Sequence, residues 1–335
     1  MSKILNQTNK PTLDQLITTL KKGKTFCLSG HQNPDADVIG SELALKHFIE
    51  KLGPDKKVSI INSGKPPKSL SYLPGFEFVQ HADKVSGHFD VVVAMECSGA
   101  ERMGNIIDLK TQATDVLNID HHLHNPNFGT INFVEPTTSS TAELIFKIYT
   151  HNNTPLTKEV ALCIYTGLVA DTGWFRFGNT NEQTHMIASR LLAVGVPISD
   201  LSEKMYMSRS KASMKLLASL LQQMTYHFDD QVVVMKIPLS LMDEIQAESD
   251  DLEEVVNFGL MRDTVNASVL LKEKEASKVI KVSLRSKGNW DINQIARTFD
   301  GGGHRNASGA TIFGNLDKAE ELILGEMGKI FKSST

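Results

Sequence analysis

Residues 116–122 are Val116-Leu117-Asn118-Ile119-Asp120-His121-His122, an apolar run that ends in one carboxylate and two imidazoles. The apolar part has the composition of a buried strand, and the turn-rich His124-Asn125-Pro126-Asn127 follows it. Imidazole and carboxylate are both good ligands for Mn, Zn or Fe, and imidazole also transfers protons near neutral pH. The stretch therefore predicts a strand whose end carries a metal-binding or proton-transferring cluster.

Three other acidic or histidine-containing segments follow predicted elements. They are His31-Gln32-Asn33-Pro34-Asp35-Ala36-Asp37, Glu96-Cys97-Ser98 and Asp171-Thr172-Gly173. Loops at the carboxyl ends of parallel strands converge at one edge of the sheet, so we expect these segments to share one crevice with residues 120–122. The carboxylates would repel one another there unless cations lay between them, which favours a two-metal centre. A ligand set of histidines and carboxylates without cysteine suits Mn better than a structural Zn site.

Strand candidates at 25–29, 57–61, 89–95 and 115–119 alternate with helical periods, which indicates a parallel sheet with helices on both faces. Further helices are predicted at about 139–151, 157–170 and 181–194. A helical connector then leads to a second strand-bearing unit, with strands at 231–235, 267–271 and 279–284 and a helix at 292–299. We therefore predict a catalytic domain at 1–195, a linker at 196–228 and a second domain at 229–335.

Composition favours a protein of the reducing cytoplasm. The 335-residue chain is long enough for two domains, and its three cysteines (Cys27, Cys97, Cys163) stand in apolar surroundings as expected of free buried thiols. No apolar run approaches the roughly 18 residues of a membrane span, and the N-terminus lacks a signal-peptide core. A net charge of −4 argues against coating of long nucleic acids.

The motifs together resemble the DHH phosphoesterase superfamily, in the branch with a C-terminal DHHA1 domain. The resemblance covers nearly the whole chain and includes Gly301-Gly302-Gly303-His304-x-x-Ala307-x-Gly309. By size and layout the chain is most similar to the NrnA type, the bifunctional oligoribonucleases and 3'-phosphoadenosine 5'-phosphate (PAP) phosphatases. The resemblance implies an α/β fold with a five-stranded type of parallel sheet, a smaller mixed-sheet α/β DHHA1 domain, and a cleft between the two.

The resemblance also implies roles for individual residues. His31, Asp35 and Glu96 would hold one Mn²⁺, and Asp37, Glu96, His121 and Asp171 would hold the other. His122 would face the substrate and act in catalysis, and Asp120 would orient a histidine. Family members normally carry Asp where this chain has Glu96, so both a bridging role and ligation of a single metal are open.

Substrate contacts are expected from both domains. In DHHA1 domains, the loop that corresponds to Gly302, Gly303 and His304 of this chain binds the part of the substrate away from the scissile phosphate. Arg285 and Ser286 are further candidates, with Arg262 a weaker one, because an arginine fork suits a phosphate. Arg102 in the first domain is either a substrate contact or an exposed ion-pair partner.

Each site residue also has an ordinary structural explanation. Asp35 and Asp37 precede a helix, where aspartates commonly cap free N–H groups, and Asp171 could simply begin a turn. Their joint occurrence around an Asp-His-His favours the functional interpretation, and the resemblance then implies a phosphoesterase of short RNA or DNA oligonucleotides or of PAP. Hydrolysis of cyclic dinucleotides or of linear dinucleotides such as pApA remains open, as does a nucleotide-binding protein with weakened catalysis. A homodimer is possible, and no membrane partner is expected.

Overall fold

The computed structural model describes residues 10–247, 255–274 and 278–331, which belong to two units, residues 1–207 and 208–335. The first unit is built on a parallel sheet of six strands in the order β3-β2-β1-β4-β5-β6. The strands are β1 (Thr25–Ser29), β2 (Lys57–Asn62), β3 (Val79–His81), β4 (Phe89–Met95), β5 (Ala113–Asp120) and β6 (Ile131–Val134). The strand order reverses between β1 and β4, and the crevice at such a switch point is where open α/β sheets bind ligands.

The α-helices of this unit, within residues 10–207, are α1 (Lys10–Lys22), α2 (Ala36–Lys51), α3 (Thr141–His151), α4 (Lys158–Asp171), α5 (Glu182–Val194) and α6 (Ile198–Tyr206). Helix α2 is buried on nearly every side, which explains its weak amphipathic pattern. A side chain at Gly40 would come within 2.4 Å of the Cys163 carbonyl oxygen of α4. Only glycine therefore allows these two helices to pack so closely.

The second unit contains a mixed sheet in the order β11-β12-β10-β9-β8-β7, in which only β8 and β9 run parallel. Its strands are β7 (Thr225–His227), β8 (Val232–Ile237), β9 (Ala267–Lys274), β10 (Val279–Ser286), β11 (Gly302–His304) and β12 (Ala307–Phe313), and its helices are α7 (Lys211–Gln222), α8 (Leu239–Ile245), α9 (Val255–Phe258), α10 (Asn293–Arg297) and α11 (Leu316–Met327). Alternate residues of β8 face opposite sides, with Val234 packed in the cluster of α10 and α11 and Met235 in that of α7. Helices thus cover both faces of this sheet.

The predicted α/β class is confirmed, with one more strand in the first sheet than the five-stranded type. The range predicted as a connector, 196–228, contains helix α6 of the first unit and helix α7 and edge strand β7 of the second. Residues 302–304, expected to be a loop, form an edge strand paired with 307–309. Cys27, Cys97 and Cys163 are free and buried, as predicted. Within the described ranges no helix is long and apolar enough to cross a membrane.

Candidate metal centre and catalytic histidine

The loop from β1 to α2 carries His31 and Asp35. Asp35 caps α2, because its Oδ1 accepts hydrogen bonds from the backbone N–H groups of Asp37 (3.0 Å) and Val38 (3.1 Å). Its other oxygen lies 3.5 Å from His31 Nε2, and the side chain is about half exposed (51%). Asp35 therefore caps the helix with Oδ1, as its position suggests, while its Oδ2 faces His31. Partial desolvation would raise the pKa of this half-exposed carboxyl, but the His31 contact and the capping bonds outweigh it and lower the pKa of Asp35.

Asp37, in the first turn of α2, is buried and binds another helix. Its Oδ2 accepts from the N–H of Thr141 (2.7 Å) and its Oδ1 from the N–H of Ala142 (2.9 Å), the free donors at the start of α3. The negative carboxylate is favoured there by the helix dipole. A side chain at Gly167 would come within 2.5 Å of Asp37 Oδ1, so the glycine leaves room for this carboxylate.

Glu96 follows β4 and lies at the centre of the site. Its backbone is left-handed (φ 54°), which is uncommon for glutamate, and its N–H is fixed on the Ile119 carbonyl of β5 at 3.0 Å. Two groups of potential ligand atoms include Glu96: one with His31 and Asp35, the other with Asp37 and His121. Within each group the atoms lie within 4.8 Å of one another. A carboxylate that bridges two metal ions must be within reach of both sets of ligands, and Glu96 meets this requirement.

His121 points its Nε2 into the second group. Its Nδ1 donates to the Thr138 carbonyl at 3.3 Å, which leaves Nε2 at 3.4 Å from Asp171 Oδ2 and 3.9 Å from Glu96 Oε1. A backbone carbonyl on the far nitrogen is the usual way to orient a metal-binding histidine. The structure thus brings Asp171, the last residue of α4, to the same place as the loops after β1, β4 and β5.

The chemistry of these side chains fits divalent cations. In the described part of the chain, the buried atoms Glu96 Oε2 and His31 Nδ1 have no hydrogen-bond partner. Burial and the charges of Asp35, Asp37 and Asp171 raise the pKa of Glu96 well above its usual range. Burial also raises the pKa of Asp37, despite the nearby His121. Cations between these carboxylates would remove this repulsion, and histidine with carboxylate suits Mn²⁺ or a similar ion.

Asp120 and His122 form a separate pair beside this cluster. Asp120, the buried last residue of β5, accepts a 2.7 Å hydrogen bond from His122 Nδ1. Burial would raise the pKa of Asp120, but the bonds from His122 and Asn125 lower it to about 2. The contact between Nδ1 and this carboxylate fixes the orientation of the His122 ring. The orienting role of Asp120 stays a prediction.

Sequence inspection missed three residues that hold the site. Asn125 Nδ2 donates to Asp120 Oδ2 (2.6 Å) and to the Cys97 carbonyl (2.9 Å), and Asn179 Nδ2 donates to the Asp171 carboxylate (3.3 Å). Thr138 supplies the carbonyl for His121. The turn after residues 120–122 did signal Asn125, but Asn179 and Thr138 act through the fold and carry no local motif.

The residues proposed to contact the substrate differ in exposure and in their hydrogen-bond partners. Arg102 is exposed and lies on a short 3-10 helix. Its backbone carbonyl accepts a hydrogen bond from the Gln32 N–H at 2.7 Å. Arg262 pairs with Asp230 and lies over the Tyr226 ring, 4.6 Å from its centroid. Ser286 is buried and donates to the Trp290 carbonyl at 2.6 Å, so its hydroxyl stabilises its own unit.

The remaining candidates lie on neighbouring strands of the second sheet. Arg285, in β10, donates to the Leu284 carbonyl at 3.0 Å. Gly302, Gly303 and His304 form β11, and Gly303 has a φ of 141°, which favours glycine. A side chain there would come within 2.5 Å of the Ala307 carbonyl oxygen. At Gly303 the glycine is thus required by the tight β11–β12 hairpin.

A parallel α/β sheet with acidic and histidine ligands at its switch point, joined to a mixed-sheet unit, defines a metal-dependent phosphoesterase of the DHH type. The chain belongs to the DHH family: the model of the DHH family N-terminal domain matches residues 25–168, and that of the DHHA1 domain matches 229–329. It is 32% identical over 300 residues to the bifunctional oligoribonuclease and PAP phosphatase NrnA of Thermus thermophilus, covering 89% of this chain and 87% of that protein.

Two further comparisons agree. The Bacillus subtilis protein of the same name is 28% identical over 312 residues, covering 92% of this chain and 96% of its own. The crystal structure of an exopolyphosphatase-related protein from Bacteroides fragilis superposes with a TM-score of 0.88 at 29% identity, covering 97% of each chain. The similarity therefore extends through both units.

Proposed function

We propose that this hydrolase cleaves short oligonucleotides to mononucleotides, removes the 3'-phosphate of PAP to give AMP, or does both, with two Mn²⁺ ions. The observation that carries the proposal is the pair of ligand groups that share Glu96, with the oriented His122 beside them. Related proteins named as oligoribonucleases and PAP phosphatases align over most of the chain, which supports this substrate class. Three buried free thiols support a reducing cytoplasm as the compartment.

In this proposal His31, Asp35 and Glu96 hold one ion, and Asp37, Glu96, His121 and Asp171 hold the other. When bound, the ions supply positive charge that stabilises the phosphoryl oxygens and activates a water for in-line attack. Glu96 belongs to both groups, which supports the proposal that its carboxylate would serve both ions.

His122 is the residue proposed to act on the substrate itself. Its Nδ1–H is held by Asp120, which keeps the ring orientation and stabilises positive charge on the imidazole. His122 Nε2 can then donate a hydrogen bond to the phosphoryl oxygen or a proton to the leaving oxygen. Asn125 holds Asp120 in turn, so the histidine is positioned before substrate arrives.

The second unit is proposed to bind the remainder of the nucleotide. Arg285, Gly302, Gly303 and His304 are the proposed contacts there, with Ser286 and Arg262 also engaged in contacts of their own unit. On the first unit the exposed Arg102 is a proposed phosphate contact.

The decisive experiment offers the Mn²⁺-loaded protein a panel of substrates: PAP, RNA of two to five nucleotides, pApA, a cyclic dinucleotide and pyrophosphate. We expect release of phosphate from PAP or of mononucleotides from short RNA. No hydrolysis of any member would overturn the enzymatic proposal and favour a nucleotide-binding protein. Preference for the cyclic dinucleotide or pApA would replace the proposed substrate, and preference for pyrophosphate would contradict the role of the second unit.

A further inference from the structure

One short segment contacts three of the four ligands proposed for the second ion. This segment, the β6–α3 loop with the first turn of α3 (residues 135–142), supplies the Thr138 carbonyl to His121. Its Thr141 and Ala142 N–H groups bind the two oxygens of Asp37. The position of two ligand side chains is therefore set directly by backbone atoms of this segment.

The third ligand, Asp171, is connected through Asn179. The Nδ2 group of Asn179 donates to the Ser139 carbonyl at 2.8 Å and also to the backbone and side-chain oxygens of Asp171, at 3.0 and 3.3 Å. A shift of Ser139 would thus be transmitted to Asp171. Residues 138–141 are buried, so these contacts are shielded from water.

A buried ion cluster holds the segment at Glu135 and Ser139. Lys147 Nζ lies 2.8 Å from Glu135 Oε2 and 3.1 Å from Glu143 Oε1. The opposite oxygen of Glu143 accepts from the N–H (3.1 Å) and hydroxyl (2.8 Å) of Ser139. The Lys147 side chain is 7% exposed and that of Glu143 is 1% exposed. Removing one partner from such a cluster leaves buried charge uncompensated.

The ligands of the first ion lie outside this arrangement. Asp35 accepts from the first turn of its own helix, and His31 contacts Asp35. Within the described residues no hydrogen bond joins His31 or Asp35 to residues 135–142. The two proposed metal sites therefore share Glu96 but differ in what positions their remaining ligands.

We propose that Lys147, acting through Glu143 and Glu135, is a positioning residue that sets the affinity of the Asp37–His121–Asp171 site for a divalent ion without affecting the His31–Asp35 site. The inference rests on the proposed function, since it assumes that both groups bind metal. Partners of metal ligands typically contribute 10- to 100-fold to affinity, and a change of roughly that size is expected at one site alone.

The test is calorimetric titration of Mn²⁺ into the metal-depleted full chain, comparing wild type, His31→Ala and Lys147→Met. Wild type should bind two ions. His31→Ala should weaken one step, and Lys147→Met should weaken the other by roughly 10- to 100-fold. Lys147→Arg, which keeps the positive charge, should restore part of the loss.

Lys46→Met is the matched control, because Lys46 also pairs with a glutamate, Glu50, and its side chain is 11% exposed. It should reduce thermal stability without changing either Mn²⁺ affinity. If Lys147→Met does not fold, Ser139→Ala, which removes only the hydroxyl bond to Glu143, should give a smaller loss at the same step.

Three outcomes would overturn the inference: unchanged affinities in Lys147→Met, weakening of the step already lost in His31→Ala, or equal weakening of both steps. Failure of the proposed function looks different. In that case the wild-type protein binds no Mn²⁺, or binds two ions and hydrolyses none of the substrates.

Discussion

The two units use their polar side chains differently. In the first unit, His31, Asp37, Glu96, His121 and Asp171 come from separate elements and converge at the carboxyl edge of one sheet. In the second unit, Ser286 and Arg262 bind partners of the same unit, the Trp290 carbonyl and Asp230. The first unit thus concentrates carboxylates whose mutual repulsion bound cations would relieve, whereas these polar groups of the second unit are paired within their own unit.

That difference indicates that the carboxylates grouped in the first unit lower the stability of that unit. Buried carboxylates with raised pKa values are unfavourable for folding unless a ligand neutralises them, and such groups collect at functional sites. In the second unit Glu320 is instead paired with Lys236 at 2.6 Å. We expect changes at the carboxylates and histidines of the first unit to alter chemistry and pH dependence.

The largest expected effect follows from replacing His122 with alanine. The variant loses the group that we propose assists the leaving oxygen, so kcat should fall by roughly 10²- to 10⁴-fold. Because His122 is bound to Asp120 and belongs to neither group containing Glu96, both Mn²⁺ ions should be retained. Steady-state kinetics with metal analysis of the same sample measures both quantities.

Asn125→Ala provides the graded control. It leaves His122 in place but removes a bond to Asp120, so kcat should fall less, by roughly 10-fold. Loss of metal from His122→Ala would instead show that this histidine is a ligand, and the division between catalytic and metal-binding residues would be wrong.

A second difference between the units should appear in the pH dependence of stability. Glu42 in α2 is fully buried, accepts from Asn62 Nδ2 at 2.9 Å, and has no partner for Oε1 among the described residues. Burial, only partly offset by the Asn62 bond, raises the pKa of Glu42 to about 8 from its ordinary 4.5. Between these values the unfolded chain has released the proton and the folded chain has not, so stability falls as pH rises.

Glu42→Gln should therefore flatten this slope, which is at most about 1.4 kcal/mol per pH unit for one group, and stabilise the first unit by roughly 1–3 kcal/mol at pH 8. The chain has two tryptophans, Trp174 in the first unit and Trp290 in the second, so Trp290→Phe and Trp174→Phe backgrounds report on one unit each. Urea unfolding of metal-free protein from pH 5 to 8 is the measurement.

The second unit should show no corresponding fall. Bonds to Glu320 and Asp317 raise the pKa of Lys236 above 10.5, with burial opposing them, so its stabilising effect is complete throughout this pH range. Glu50→Gln, an exposed change in the same helix as Glu42, is the control. An unchanged slope in Glu42→Gln would mean that Glu42 is ionised in the folded protein.

Much of the first sheet could be predicted because its central strands are continuous apolar runs. The bounds 25–29 and 89–95 are those of β1 and β4. The edge strands β3 and β6 are only three and four residues long and have little pattern of their own. Residues 302–304 could not be recognised as a strand, because a run of glycines also suits an irregular turn and only pairing with β12 determines its conformation.

Some residues of the candidate site could also be identified from the sequence. Residues such as Asp120 and His121 lie beside apolar runs and carry unusual chemistry, so sequence alone indicated them. The residues that position them could not be found in this way, because Asn179 and Lys147 act across the fold through contacts with Ser139 and Glu143. Asn179 and Lys147 are residue types that are common in loops and helices, and nothing in the neighbouring sequence marks them.

Arg102 tests whether the first unit also contributes to binding. Its turn is fixed beside the His31 loop by the bond from Gln32 N–H, and its side chain is exposed. If the guanidinium contacts a substrate phosphate, Arg102→Ala should raise KM by roughly 10-fold and leave kcat within about twofold. Lys110→Ala, an equal charge change at an exposed position of the same unit, should leave KM unaltered. Equal effects of both variants would indicate general electrostatic attraction instead.

The smallest effect is expected at Arg262, whose guanidinium already binds Asp230 and stacks on Tyr226. To reach a phosphate, Arg262 would have to exchange these contacts, so Arg262→Gln should change KM by less than about twofold and reduce stability only slightly. Asp230→Asn separates the alternatives, because it weakens the competing contact and leaves the arginine in place. If Arg262 binds substrate, Arg262→Gln raises KM and Asp230→Asn lowers it. If the pair only stabilises the second unit, both variants reduce stability slightly and neither changes KM.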